Sequence, residues 1–178
     1  TRTDSFELGA RYDDVEHAWG GGVSAFATFI ERESVYDHVS GVNLELNATR
    51  RLGLEADATV RPAPWLALRA DVTAVSARFT GSGRPVPGAP TLFGALEAHA
   101  EHPTGLSGGA RVFAVAPRPL AHGAVAGALS MLDVALLYRR RAWEVSLQVE
   151  NLLGTRLREG EFNYASWFDR AAESKSAL

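Results

Sequence analysis

From Trp143 to Glu150 every position obeys a two-residue alternation: Trp143, Val145, Leu147 and Val149 are apolar, and Glu144, Ser146, Gln148 and Glu150 are polar. Residues 48–61 do nearly the same, setting Leu52, Leu54, Ala56, Ala58 and Val60 against Arg51, Glu55, Asp57, Thr59 and Arg61. Side chains of an extended strand point alternately to opposite faces, whereas a helix brings together residues three and four apart. This period therefore demands strands with one apolar and one polar face.

The same parity continues along the chain. Phe6, Leu8, Ala10 and Tyr12 oppose Glu7, Gly9, Arg11 and Asp13; Leu66 to Ala74 oppose Arg69, Asp71 and Thr73. Leu92, Leu96, Ala98 and Ala100 oppose Thr91, Glu97, His99 and Glu101, and Leu132 to Tyr138 oppose Asp133 and Arg139. Two segments mix the faces: Val23 to Glu31 is apolar on both over part of its length, and Leu106 to Ala116 has Phe113 and Val115 on its polar parity. Eight strands are expected, roughly 5–13, 22–32, 48–61, 65–79, 91–102, 106–116, 128–140 and 142–151, near the length that crosses a bilayer when tilted.

The links between them alternate in length. Arg61 to Trp65, His102 to Gly105 and Arg139 to Trp143 are tight; Thr80 to Pro90, Pro117 to Gly127 and Leu152 to Phe168 are long. Short turns on one rim and long loops on the other are the habit of outer-membrane barrels, and Tyr12, Trp65, Tyr138 and Trp143 fall near the short-turn rim, where an aromatic girdle belongs. No apolar run approaches the ~20 residues of a membrane-spanning helix. The mean hydropathy of -0.07 is what a strand-built wall gives, because its two faces average out. The expected fold is thus all-β, an antiparallel up-and-down meander of about eight strands forming part of a transmembrane β-barrel, with residues 1–178 a partial barrel domain in contact with outer-membrane lipid.

Charge and chemistry point away from other classes. A net charge of -3 with scattered basic residues makes no electrostatic case for nucleic acid. No Gly-x-Ser-x-Gly elbow and no cysteine nucleophile occurs, so catalytic, cofactor-binding and resident metal residues are all expected to be none and the chain is not expected to be an enzyme. Glu97, His99 and Glu101 share one face of a strand but would each need further ligands from neighbouring strands, and a solvated wall is the simpler reading. His99 and His102 fall on opposite faces. Asp13, Asp14, Glu16 and His17 make an acidic turn without the spacing of a calcium loop. Asn47-Ala48-Thr49 fits a glycosylation sequon and is read as a loop-to-strand junction. Arg51, Glu55, Asp57, Arg61, Arg69 and Asp71 form a mixed-charge ladder that stabilises a wall by cross-strand pairing.

Several segments resemble, in order, the C-terminal barrel region of TonB-dependent outer-membrane receptors: Phe6-Glu7-Leu8-Gly9, Arg51-Leu52-Gly53-Leu54-Glu55, Arg61-Pro62 with the strand rising to Leu68, Val86-Pro87-Gly88-Ala89-Pro90, and above all Val149 to Arg156 around Asn151-Leu152-Leu153-Gly154. Leu157 departs from the tyrosine often found in that last segment, and Asp169 to Leu178 lacks the terminal strand ending in an aromatic residue. The resemblance implies a bacterial outer-membrane receptor with about 22 strands around a plug. It implies TonB-energised uptake of a scarce nutrient such as chelated iron, as in siderophore uptake, another metal complex or a vitamin. Plug, final strand and TonB-contacting segment are expected to lie outside this chain, which opens on a strand with no start methionine ahead of it. The alternative is a self-contained eight-stranded membrane or soluble barrel with a structural or small-ligand role. Its closed interior would have to hold Arg11, Arg51, Asp57, Arg69, Asp71, Glu97 and Asp133, which is costly unless they pair or stay wet.

Overall fold

The computed structural model describes residues 2–14, 16, 18–37, 42–120, 124–156, 161–165 and 173–177, with backbone alone for 34–37, 42–46, 161–165 and 173–177. Its strands are β1 (Thr3–Asp14), β2 (Trp19–Ile30), β3 (Glu33–Asp37), β4 (Val42–Leu46), β5 (Thr49–Ala63), β6 (Leu66–Phe79), β7 (Leu92–Glu101), β8 (Leu106–Val115), β9 (Arg118–Pro119), β10 (Val125–Ala126), β11 (Leu129–Arg140), β12 (Trp143–Val149), β13 (Glu161–Ala165) and β14 (Glu173–Ala177). Eight of them form one antiparallel sheet in the order β1-β2-β5-β6-β7-β8-β11-β12, so every neighbour in sequence within the sheet is a neighbour in space. This is the expected meander. A closed eight-stranded barrel would pair β12 with β1; among the described residues each remains an open edge.

The register confirms one face per parity. Reading across the sheet, Leu8, Ala25, Leu54, Ala74 and Leu92 stand in one row, and Tyr12, Gly21, Ala58, Ala70, Leu96 and Val112 in another. The side chains of this apolar face are not covered by protein: Leu8 is 82% exposed and Leu54 64%. A soluble sandwich would bury such a face against a second layer, and none is present among the described residues.

The connections differ from the sequence expectation in three places, the first two for a local reason. The tight link placed at Arg61 to Trp65 is partly strand, since β5 runs on to Ala63 and pairs Ala63 with Leu66 after a register shift beyond Val60. Pro62 falls inside that shift, where it has no ladder bond to supply. The strand placed at 142–151 ends at Val149, because Asn151 takes a positive φ of 51° and turns the chain. Finally, the long connections hold two-stranded hairpins of their own, β3/β4 and β9/β10, and β13 pairs with β14 rather than with the large sheet.

What core exists lies where two long connections meet. Gly88 N–H donates to the Pro119 carbonyl at 2.7 Å, tying the β6–β7 loop to the β9/β10 segment. Val86, Leu120 and Ala126 in these loops are buried, as are Ala77 and Ala95 on the adjacent strands. On the polar face beside them, Phe93, Phe113, Val115, Leu129 and Met131 are half-buried, which accounts for the irregular parity read in β8.

Candidate functional site

The polar face is organised by ion pairs, and one of them skips a strand. Arg11 on β1 and Asp57 on β5 are separated by β2, in register through Gly22. Two strand spacings amount to ~9.6 Å between backbones. The Arg11 guanidinium nevertheless reaches Asp57 at 3.1 Å, and its Nε also meets Asp13 at 3.1 Å. Glycine makes the crossing feasible: a Cβ at Gly22 would stand 2.8 Å from Asp57 Oδ1, and one at Gly20 would stand 2.3 Å from Asp13 Oδ1. Beside this bridge the face dips into an open concavity of 440 Å³ lined by Glu7, Arg11, Glu55, Asp57, Asp71 and Thr73.

A second node anchors the first long connection. Thr49 is 1% exposed, the most buried polar residue described. Its hydroxyl donates to Glu33 Oε2 at 2.6 Å, while Arg51 donates from Nη2 to Glu33 Oε1 at 2.5 Å. Glu33 opens β3, so a carboxylate from the connection is fixed to two residues at the start of β5. Hydrogen bonds to a charged, half-buried group stabilise by about 1.5–3 kcal/mol. Glu33→Ala is therefore expected to cost about 1.5 kcal/mol of unfolding free energy and to speed proteolytic cleavage within residues 33–46, with no change at the other loops.

The sequence candidates are distributed rather than gathered. Glu97 pairs with Arg111 across β7 and β8 at 3.1 Å, whereas His99 Nε2 turns to Glu101 Oε1 at 3.0 Å, so the three do not converge. His102 Nδ1 lies 2.8 Å from Thr104 Oγ1 in the β7–β8 turn. Asp13 serves Arg11; Val15 and His17 of the acidic turn lie outside the described residues. Arg51 belongs to the Glu33 node and Asp57 to the Arg11 bridge, while Asp57 faces Asp71, a like charge, in the register. Among the described residues no two members of the expected mixed-charge ladder pair with each other, because between β5 and β6 the residues facing them are neutral or of the same sign. Thr49 of the sequon is the buried donor just described. No group of three metal-ligating side chains occurs among the described residues. Sequence reasoning missed Glu33 and Thr49, whose partnership spans 16 residues of an irregular connection.

The Asn151 segment is a built turn. Asn151 N–H donates to Asp133 Oδ1 at 2.8 Å, its side-chain amide donates to the Thr155 carbonyl at 2.7 Å, and its Oδ1 accepts from Thr155 N–H at 2.9 Å. Asparagine suits the left-handed backbone as well as the bonding. Asn151→Gly keeps the backbone freedom and loses both side-chain bonds, with an expected cost of about 1 kcal/mol in urea unfolding; Asn151→Ala adds backbone strain and is expected to cost about twice that.

No family model and no curated sequence matches the chain. Among solved structures, the ferric yersiniabactin uptake receptor FyuA from Yersinia pestis superposes with a TM-score of 0.76 at 19% identity, over 99% of this chain and 28% of that one. The chain has the fold of TonB-dependent receptor barrel wall. The siderophore receptor PiuA from Acinetobacter baumannii shares it at a TM-score of 0.65 and 16% identity, over 85% of this chain and 24% of its own. The FrpB iron transporter from Neisseria meningitidis does so at 0.64 and 18%, over 84% and 25%. The chain thus spans about a quarter of the length of the receptors it matches. The sheet has two unlike faces, an uncovered apolar one carrying Leu8 and Leu54 and a polar one carrying the Arg11–Asp57 bridge.

Proposed function

We propose that the chain is a segment of barrel wall from an outer-membrane receptor that takes up a scarce nutrient, a chelated iron or other metal complex or a vitamin, with energy from TonB. The observation that carries the reading is the pairing of an uncovered apolar face with a charge-paired polar face on a meander that superposes on uptake receptors. The apolar face meets lipid, with the rings of Tyr12 and Trp19 5.1 Å apart and tilted by 43° at the short-turn rim and Trp143 on the same rim. The polar face looks into a lumen wide enough to stay wet, so its carboxylates and guanidiniums avoid the cost of a dry interior. A plug domain and the remaining strands complete the receptor, and the joined β6–β7 and β8–β11 loops contribute to ligand recognition.

Reading the gene outwards on both sides tests this directly. A plug domain upstream and a further alternating strand ending in Phe or Trp downstream are expected; a signal peptide immediately before Thr1 with a stop after Leu178 would overturn the receptor reading. For the transport step, deleting the gene is expected to abolish growth on one chelated metal as sole source, and unaltered growth on every chelate and vitamin tried would count against uptake.

A further inference from the structure

Arg50 and Arg78 stand directly opposite each other on β5 and β6. Both are exposed, and both project from the apolar face at its end nearest the long connections. Like charges in directly opposed positions destabilise an antiparallel pair, so the juxtaposition calls for a counter-charge. The protein does not supply one among the described residues. Asp4 shares the row but lies two strands from Arg50, beyond Phe29, and is taken by Arg2. Glu31, one row further out, forms no ion pair with either arginine among the described residues. Arg78 is fixed by neutral acceptors only, donating from Nε to Ser76 Oγ at 3.2 Å and from Nη1 to the Gly83 carbonyl at 2.9 Å. Arg50 has no side-chain hydrogen bond or ion pair among the described residues.

We infer that Arg50 and Arg78 together hold the phosphate of a membrane lipid at the long-connection rim. The inference rests on the wall reading above, which puts this face in the bilayer. Two guanidiniums side by side present the forked donors that match phosphate oxygens. Directly below them Leu52 and Leu54 are uncovered, and Phe29 beside Arg50 is 43% exposed, so whatever brings the anion also meets an apolar surface. A lipid offers both parts; a soluble anion offers only one.

The test uses the protein with its natural flanking sequence, purified in detergent, and phosphatidic acid as the probe, with diacylglycerol of the same chains as the uncharged control. Affinity is read by native mass spectrometry at fixed ionic strength. Arg50→Gln and Arg78→Gln are each expected to weaken phosphatidic acid binding about fivefold, the scale of one basic side chain at an anionic lipid surface, and the double variant to bind no better than diacylglycerol does. Arg140→Gln, on the opposite rim, should leave binding unchanged. Without lipid, Arg50→Gln should melt above the wild type, because the like-charge contact is gone; with phosphatidic acid the order should reverse. Unchanged affinity in the two glutamine variants, or diacylglycerol binding equal to phosphatidic acid, would overturn the inference, and displacement by inorganic phosphate at equal affinity would reassign the pair to a free anion. Quenching of Trp19 and Trp143, both on the apolar face, by brominated chains separates the two levels: absent quenching removes the wall reading with it, whereas quenching with indifferent variants removes the lipid site alone.

Discussion

Leu54→Arg is expected to destabilise the sheet in phospholipid vesicles by about 2–4 kcal/mol, while Thr73→Lys, on the adjoining strand, is expected to change it by less than about 1 kcal/mol. The two positions are neighbours with opposite parity. Leu54 lies in the row Leu8-Ala25-Leu54-Ala74-Leu92 and is 64% exposed; Thr73 pairs with Glu55 on the other face. If the apolar face meets lipid, a guanidinium at 54 must leave water for hydrocarbon, whereas an ammonium at 73 gains a carboxylate neighbour and keeps its water. Urea unfolding of the flanked protein from vesicles reads both. Equal costs at the two sites would mean that both faces see the same solvent, and the assignment of the faces would be lost.

Gly105→Ala carries the second large effect, about 3 kcal/mol, from two independent sources. Gly105 closes the β7–β8 turn at φ 90°, a conformation that costs a residue with a Cβ on the order of 1–3 kcal/mol. A Cβ there would also stand 2.0 Å from the Arg139 carbonyl oxygen, a backbone atom held by β11. The Gly105 carbonyl meanwhile accepts from Arg139 N–H at 2.8 Å, so the turn cannot withdraw without opening the β8–β11 ladder. Two glycines serve as controls. Gly83 has a φ of 68° with open space around it and should show the backbone term alone, about 1 kcal/mol; Gly81 has open space without that backbone conformation and should show a change within about 0.5 kcal/mol. A Gly105→Ala protein as stable as Gly81→Ala would contradict the turn geometry.

The sheet strands were legible because a two-faced wall writes its period on nearly every residue, and the clean parity of Leu52 to Arg61 and of Trp143 to Glu150 survives into the register. The irregular segments were where a different demand prevailed. Phe26 breaks the alternation of β2 because it covers Gly53 on β5: a Cβ at Gly53 would stand 2.2 Å from its ring. That is a cross-strand aromatic supplying the bulk a glycine lacks, and neither residue announces it alone. Phe113 and Val115 break the parity of β8 for another reason, since the loop residues Val86, Leu120 and Ala126 bury apolar surface at that end. Of the small hairpins, β4 did carry a signal in Val42, Leu44 and Leu46 alternating with Asn43 and Glu45, in a segment of five residues. The two-residue strands β9 and β10 carry no period at all. The Glu33–Thr49–Arg51 node was out of reach because its members are distant in sequence and joined by a connection whose path no local pattern dictates.

The Arg11–Asp57 bridge has a consequence for how related sequences should vary. A contact between side chains usually marks adjacent strands, and correlated substitutions are read as adjacency on that basis. Here a Cβ at position 22 would crowd Asp57 Oδ1, so a glycine there favours compensation between positions 11 and 57, and the pair that swaps charge together would belong to strands that are not neighbours in the sheet. An alignment read pair by pair would then place β1 beside β5 and leave β2 with nowhere to go.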